Sequence, residues 1–302
     1  MKNDTVSILL SIYNGEEYLS ELIDSLKKQT YSHIEIIARN DGSNDLSVEM
    51  VKKLNIKLIK GTNEGAKKSF ELLLNYALEN STSNYFMFCD QDDVWNSDKV
   101  VKSMHLMKIL EKKNRNTPLL VHSDLEVVDK NLKKLCNSFW KYEKINPKKN
   151  TFHELLLQNT VTGCTLLINR KLAELSLPIA KNAIMHDWWI ALVASCFGEI
   201  GILQTQTLKY RQHQNNAIGA KKLNLNLYIK KYIQKNTLIK NFLQATSFLE
   251  QYSTNMDTKQ LSQLKKFISL QDESFYKKRV TLVQEKFYKH GILRNLGLFL
   301  KI

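Results

Sequence analysis

The sequence predicts an α/β fold with a largely parallel sheet between helices and a helical C-terminal extension. Three observations predict it. Apolar strand-like runs alternate with helix-like segments over the first hundred residues, polar clusters follow the ends of those runs, and only helical periodicity is left after about residue 220. Ligands of such sheets bind at the carboxyl ends of the strands, so we expect the functional site at those polar clusters.

The first predicted strand is Val6–Tyr13, a continuous apolar run with β-branched residues that stops at Asn14-Gly15. The segments after it alternate between the two periodicities as far as Asp90. We predict helices over 16–30, 45–53 and 67–80, and strands over 33–40, 56–60 and 85–89.

The second half continues this pattern less regularly and then becomes helical. We predict helices over 96–114 and 183–196, strands over 119–128, 165–168 and 202–211, and C-terminal helices over 225–243 and 259–289. The change of pattern predicts a catalytic domain over residues 1–219 and a basic, amphipathic helical region over 220–302.

Composition excludes several classes of protein. The chain has 302 residues, of which 43% are hydrophobic and 25% charged, and this excludes long disorder, collagen-like repeats and a polytopic membrane protein. The four cysteines are isolated and form no zinc or disulfide pattern, which favours the reducing cytoplasm. We expect no signal peptide and no membrane span, because the longest apolar run, 188–197, is half of the ~20 residues needed.

The positive charge is concentrated in the C-terminal region. The formal net charge is +14, and residues 216–302 hold 16 Lys and Arg against 5 Asp and Glu. A basic amphipathic surface indicates an anionic membrane surface as partner, whereas nucleic acid is not expected without a recognised binding motif. Helices that pack on the catalytic domain with solvated lysines, or that form a homodimer, remain alternatives.

The strongest chemical signal is the acidic segment Asp90-Gln91-Asp92-Asp93, which directly follows a buried strand. Three carboxylates in four residues repel one another unless a cation neutralises them, and Mg²⁺ or Mn²⁺ prefers such oxygen ligands. An acidic turn that caps the next helix is the alternative.

The motifs together resemble the family 2 glycosyltransferases of the GT-A fold, which has a Rossmann-like mixed sheet flanked by helices. The segments that carry this resemblance are SILLSIYNGEEYL, EIIARNDGSND, Asn63-Glu64-Gly65 and FCDQDDVW, which cover about residues 5–100 closely. Thr162-Gly163-Cys164, HDWW at 186–189 and YRQHQNN at 210–216 look like bacterial surface-polysaccharide members, especially rhamnosyltransferase-like enzymes.

The resemblance implies a binding site for a nucleotide sugar. Asp41 would accept a hydrogen bond from N3–H of uracil or thymine, and its alternative role is that of a turn residue before Gly42. The implied nucleotide-sugar-binding residues are Ser11, Tyr13, Asp41, Asn63, Gly65, Asp90, Gln91 and Arg211.

The resemblance also implies the chemistry. Asp92 and His213 would bind Mn²⁺ or Mg²⁺, which stabilises the leaving diphosphate. Asp187 would be the base that deprotonates the acceptor hydroxyl, although an aspartate there is also a good helix cap. Trp188, Trp189 and Gly163 are weaker candidates for acceptor contacts.

The predicted function is therefore that of an inverting, metal-dependent glycosyltransferase. It would add one sugar from a UDP- or dTDP-sugar, with dTDP-L-rhamnose favoured, to a lipid-linked saccharide in capsule or cell-wall polysaccharide synthesis. The expected location is cytoplasmic and peripheral, at the inner face of the plasma membrane. A UDP-hexose transferase of the same fold and a non-catalytic nucleotide- or membrane-binding module are the alternatives.

Overall fold

The computed structural model describes residues 4–53, 56–213 and 238–302. A nine-stranded mixed sheet has the strand order β3-β2-β1-β4-β8-β6-β9-β5, and β7 pairs with β6. The strands are β1 (Val6–Ile12), β2 (Ile34–Asn40), β3 (Lys57–Lys60), β4 (Tyr85–Cys89), β5 (Val94–Trp95), β6 (Leu119–Asp129), β7 (Lys134–Cys136), β8 (Leu167–Asn169) and β9 (Glu199–Gln212).

Helices cover both faces of this sheet. They are α1 (Glu16–Lys27), α2 (Ser47–Lys52), α3 (Gly65–Asn80), α4 (Lys99–Lys113), α5 (Phe139–Tyr142), α6 (Phe152–Leu157), α7 (Arg170–Leu175), α8 (His186–Phe197), α9 (Ile239–Tyr252), α10 (Thr258–Ser269), α11 (Phe275–Gln284) and α12 (Ile292–Lys301). Gly163–Thr165 forms a 3₁₀ turn. The predicted α/β fold is confirmed, and so is the helical character of the C-terminal region over residues 238–302. Most of the predicted helix 225–243 lies outside the described residues.

The first four long strands form the parallel half of the sheet. β1 lies between β2 and β4, with Ile12 opposite Asn40 and Leu10 opposite Cys89. The second half is mixed, because β8 runs antiparallel to both β4 and β6, whereas β9 runs parallel to β6. The acidic segment therefore follows β4, the strand at the border between the parallel half and the mixed half of the sheet.

Two apolar layers fill the spaces on either side of the sheet. One contains buried residues of α1, α2 and α4, and the other those of α3, α6, α7 and α8. Phe242, Phe248 and Phe267 of α9 and α10 belong to the second layer, so the described C-terminal helices share a core with the sheet. The predicted boundary at 219/220 lies outside the described residues and stays a prediction.

Some elements differ from their predicted bounds. The segment predicted as a strand at 165–168 begins with the 3₁₀ turn, and β8 starts only at Leu167. The C-terminal stretch 259–289 is not one helix, since α10 ends at Ser269 and α11 begins at Phe275. Among the described residues, every helix is too short or too polar to cross a membrane.

Candidate active site

The carboxyl ends of β1, β2 and β4 bring three polar segments to one edge of the sheet. Tyr13 follows β1, Asp41 follows β2 and Asp90 follows β4, and the three strands are direct neighbours. This is the convergence expected of parallel strands. The backbone N–H of Asp41 donates to Ile12 O at 2.7 Å, which joins the first two ends directly.

Gln91 ties the acidic segment to the loop after β1. Its Nε2 donates to Tyr13 O and its Oε1 accepts from Tyr13 N, both at 2.8 Å. A Cβ on Gly15 would lie 2.4 Å from Gln91 Oε1, so a glycine is needed for this close approach. The Gln91 amide thus holds two strand ends in register, and the Tyr13 ring beside it is 43% exposed.

Asp41 lies in a buried ion pair with Arg39. Both side chains are about 95% or more removed from solvent, and Arg39 Nη1 contacts Asp41 Oδ1. The second carboxylate oxygen accepts from Glu64 N at 3.3 Å. Burial lowers the pKa of the Arg39 guanidinium from its ordinary value. A carboxylate offers about four lone pairs, so Asp41 retains acceptor capacity for a base N–H.

Ser11, Asn63 and Gly65 lie around this ion pair. Ser11 Oγ donates to Ser69 Oγ at 2.8 Å, and Ser69 in turn lies 3.5 Å from Arg39 Nη1. Asn63 Oδ1 accepts from Gly65 N at 3.1 Å at the start of α3. Gly65 has a φ of 77°, a left-handed conformation that suits glycine. Their roles in binding a nucleotide stay predictions.

The acidic segment is crowded with carboxylates of unequal burial. Asp93 is fully buried and its Oδ1 accepts from Arg211 N at 3.2 Å. Burial, together with the nearby Asp92 and Asp187 carboxylates, raises the pKa of Asp90 to about 7. Burial and the charges of Asp92 and Asp90 likewise raise the pKa of Asp93 well above its ordinary value. Burial and mutual repulsion thus disfavour the ionised forms of these acids, and a divalent cation bound among them would favour ionisation again.

A buried lysine lies beneath these acids. Lys99 of α4 is fully buried, its Nζ contacts Cys164 O, and the ammonium lies 3.5 Å from the Trp95 ring centroid. Burial lowers the pKa of Lys99 to about 8, and the charges of Asp93 and Asp90 oppose that effect. Lys99 was not among the predicted site residues, although it shares the buried face of α4 with Ser103 and Met107 at helical spacing.

Arg211 supports the acidic segment from the end of β9. Its guanidinium donates to Asp92 O at 2.8 Å and to Lys130 O at 2.5 Å, and it pairs with Glu21 of α1. The guanidinium carbon also lies 4.5 Å from the centroid of the Tyr18 ring. The side chain is 2% exposed, so in this structure it is turned into the protein, and contact with a diphosphate stays a prediction.

His213 and Asp92 lie together, as their predicted shared role requires. His213 Nε2 is 2.7 Å from Asp92 Oδ2, and the imidazole packs against Tyr18 at a centroid distance of 4.9 Å. An imidazole nitrogen beside a carboxylate oxygen is a donor pair that Mn²⁺ accepts, and Mg²⁺ prefers the oxygen. The neighbouring Asp90, Asp93 and Cys164 also place possible ligand atoms within 4.8 Å of one another. The residues present therefore fit a divalent cation.

Asp187 occupies the N-terminus of α8, near the acidic segment. Its Oδ1 accepts from Trp188 N at 2.7 Å and its Oδ2 accepts from Gly163 N at 3.0 Å. Burial raises the pKa of Asp187 to about 6, while these N–H donors and the Asn159 side chain act in the opposite direction. Its charge in turn raises the pKa of Asp90, which shows that the two carboxylates are electrostatic neighbours.

The three candidate acceptor residues lie in different surroundings. Gly163 is buried against His186, and a Cβ added there would lie 3.0 Å from His186 Nε2. Trp188 is partly exposed, with its indole N–H donating to Leu155 O at 2.6 Å. Trp189 is fully buried, and its indole N–H donates to Ser176 O at 3.0 Å. The structure thus places Trp189 in the core and leaves no face on which a sugar can stack.

The family model described as "Glycosyl transferase family 2" matches residues 7–175 of this chain. A curated relative, an uncharacterized glycosyltransferase of Rickettsia bellii, is 30% identical over 281 residues, which are 82% of this chain and 38% of the relative. The chain thus spans well under half of that relative's length. The Escherichia coli protein named UDP-Glc:alpha-D-GlcNAc-diphosphoundecaprenol beta-1,3-glucosyltransferase WfgD is 28% identical, over 62% of this chain and 70% of the relative.

Solved structures share the fold. S. aureus TarS in complex with UDP-GlcNAc superposes with a TM-score of 0.55 at 14% identity, covering 93% of this chain and 89% of that one. The mannosyltransferase PcManGT from Pyrobaculum calidifontis, in complex with GDP-Man and Mn²⁺, gives a TM-score of 0.55 at 14% identity, covering 98% and 84%. At this level of identity the likeness concerns the fold alone.

Proposed function

Because the chain belongs to glycosyl transferase family 2, we propose that it transfers one sugar from a uridine or thymidine diphospho-sugar to a lipid-linked saccharide with inversion of configuration. The predicted transferase class agrees with the names of its relatives. The observation that carries the proposal is the convergence of Asp41, the acidic segment and Asp187 at one edge of the sheet.

The base would be recognised at the end of β2. Asp41 presents a buried carboxylate that is paired with the Arg39 guanidinium, and an ionised carboxylate accepts hydrogen bonds only. Uracil and thymine carry a donor at N3, whereas cytosine has an acceptor there. This selects the pyrimidine diones and excludes CDP-sugars.

The reaction needs one base on the acceptor side. The deprotonated Asp187 carboxylate takes the proton of the acceptor hydroxyl while the oxygen of that hydroxyl bonds to the anomeric carbon. The bond from that carbon to the diphosphate breaks on the opposite side, and the electron pair leaves with the nucleoside diphosphate. Asp92 and His213 would hold a divalent cation, which supplies positive charge to the leaving diphosphate when bound.

The donor sugar has two candidates. The sequence motifs favour dTDP-L-rhamnose, whereas the names of the E. coli relative and of the TarS complex contain UDP-Glc and UDP-GlcNAc. We propose a UDP-hexose as the first donor to test and dTDP-L-rhamnose as the second. The relative's name also contains a diphosphoundecaprenol acceptor, which supports a lipid-linked acceptor and a place at the inner face of the plasma membrane.

A ligand screen tests the proposal. UDP-, dTDP-, GDP- and CDP-sugars are added to the chain with Mn²⁺ or Mg²⁺, and thermal unfolding is followed, since a ligand that binds only the folded state raises its stability. We expect shifts with UDP- or dTDP-sugars and none with CDP-sugars. Transfer to a synthetic diphospholipid-linked sugar is then measured by mass spectrometry. A chain that binds donors but transfers no sugar to any such acceptor is a non-catalytic module.

A further inference from the structure

The last two helices carry an apolar face that no described residue covers. On α12, Ile292, Leu293, Leu296 and Leu300 are all more than half exposed and recur at spacings of three and four residues. The opposite side of the helix is anchored, since Leu298 is 2% exposed within the core. The exposed leucines are therefore held in one orientation and do not belong to a loose end of chain.

The neighbouring helix α11 has a similar face. Tyr276, Val280 and Val283 lie on one side at helical spacing and are 81%, 51% and 52% exposed. Arg279 joins the helices, because its Nη2 donates to Phe299 O of α12 at 2.5 Å. Phe287, which lies between α11 and α12, is fully buried and fixes the connection to the core. We call the exposed side chains of both helices the α11–α12 face.

The two helices carry more positive than negative charge, although Asp272 and Glu273 lie just before α11 and Glu143 lies 3.7 Å from Arg294. Residues 275–302 contain seven Lys and Arg against one acid, Glu285. The one acid is already neutralised, since Lys266 of α10 contacts Glu285 Oε1 at 2.5 Å. An apolar stripe framed by cations fits a surface that offers both hydrocarbon and negative charge.

We propose that the α11–α12 face docks this protein on an anionic lipid bilayer. The helices lie in the plane of the headgroups, the exposed leucines enter the boundary with the acyl chains, and the basic side chains meet the anionic headgroups. A second protein copy would gain the apolar contact but would bring an equal excess of positive charge to the same place. This repulsion favours lipid over a symmetric dimer.

The face is connected to the acceptor side of the candidate site. His290, just before α12, donates its backbone N–H to Gln158 Oε1 at 2.9 Å, and His290 Nδ1 accepts from Asn146 N at 3.0 Å. Asn159, which follows Gln158 in the chain, lies near enough to Asp187 for its side chain to lower the pKa of that carboxyl. Docking would therefore fix the orientation of the candidate base relative to the membrane. This part of the inference rests on the proposed lipid-linked acceptor, whereas lipid binding itself does not.

Vesicle co-sedimentation tests the inference. The full chain is mixed with vesicles of phosphatidylcholine alone or with about 30% phosphatidylglycerol, and the bound fraction is measured at low and high salt. We expect binding to the anionic vesicles, weakened by salt. The double variant Leu296→Asp/Leu300→Asp should reduce the partition coefficient at least about tenfold, because two inserted side chains are replaced by charges.

The matched control is Ile109→Asp on α4, which replaces an exposed apolar residue on the opposite face of the sheet. It should bind like the wild type. Thermal shifts with UDP-sugars, measured on the same samples, report separately on folding and on the donor site. The inference would be overturned if the wild-type protein did not bind anionic vesicles, or if the double variant bound them as well as the wild type does. It would also be overturned by a dimer in solution that the double variant converts to monomer.

Discussion

Replacing Asp187 by asparagine gives the sharpest test of the candidate site. The substitution keeps the size of the side chain and one oxygen, so the N–H of Gly163 or Trp188 still has an acceptor. It removes the only feature that a base needs at this position, a lone pair that binds a proton near neutral pH. Loss of a general base should lower kcat by about 10²- to 10⁴-fold.

The pH dependence of kcat/KM is a second, independent test of Asp187 as the base. Burial raises the pKa of Asp187 to about 6, so the carboxylate is protonated and inactive below that pH. The wild-type kcat/KM should fall about tenfold for each pH unit below 6, because each unit leaves about a tenth of the carboxylate ionised. Replacing Asn159 by alanine removes a side chain that lowers this pKa, and it should move the acid limb to higher pH.

Stability separates this result from misfolding. Since the folded-state pKa of Asp187 lies above its ordinary 3.8, the folded protein holds the proton more tightly than the unfolded chain does. Its contribution is then most favourable below pH 4 and is lost as the pH rises to 6, at a cost of at most about 3 kcal/mol at neutral pH. Asparagine stays neutral, so the variant should unfold at the wild-type temperature or above it.

The assay is transfer to a diphospholipid-linked acceptor between pH 5 and 8, with thermal unfolding of each variant. The control is Asp257→Asn, since Asp257 also caps a helix, with its side chain accepting from Gln260 N at 2.8 Å. This control should keep full activity. An Asp187→Asn enzyme that loses less than about threefold in rate, or that retains the acid limb, would refute the role of Asp187 as base.

Three further predictions concern the charges beneath and beside the site. Asp92→Asn should lower the rate of sugar transfer at saturating Mn²⁺ about 10²-fold. The control Asp98→Asn, on the surface, should leave that rate unchanged. Full activity of Asp92→Asn in EDTA would contradict a metal at Asp92. Arg39→Met should lower the free energy of unfolding in urea by about 3–5 kcal/mol because it leaves the buried Asp41 carboxylate without a counter-charge. A loss below about 1 kcal/mol would show that the ion pair contributes little. Lys99→Met should lower the unfolding temperature. Mn²⁺ should then raise the unfolding temperature of the variant more than that of the wild type. A variant as stable as the wild type would show that the acids need no buried counter-charge.

The parallel half of the sheet and the polar segments at its edge were predictable from sequence because their signals are local. Each strand is a short apolar run that ends at a polar cluster, and parallel neighbours bring those clusters together. Adjacent residues in a helix are harder to separate. Trp188 and Trp189 have the same side chain, but a turn of about 100° leaves the first partly exposed and buries the second.

The C-terminal helices show a second limit of sequence patterns. An apolar and basic stretch is compatible with a core helix and with a membrane-facing one, because both need a row of large apolar side chains. Leu296 and Leu298 both lie on α12, yet the first is 55% exposed and the second is 2% exposed. Only the packing of α11 and α12 against the apolar layer that they share with the other helices shows which side chains stay exposed.

The acidic segment shows why a motif describes half of an electrostatic site. The motif contains three acidic residues, Asp90, Asp92 and Asp93, within four positions. The prediction of a cation site follows from these three carboxyl groups alone. The positively charged residues near these acids come from other elements. Lys99 lies in the first turn of α4, and Arg211 lies at the end of β9, more than a hundred residues later. Lys99 lies below the carboxylates and Arg211 is directed away towards Glu21, so both stabilise the segment from inside the protein. Under the proposed function, Asp92 and His213, whose side chains lie 2.7 Å apart, are the part of the segment that would hold a cation next to the diphosphate.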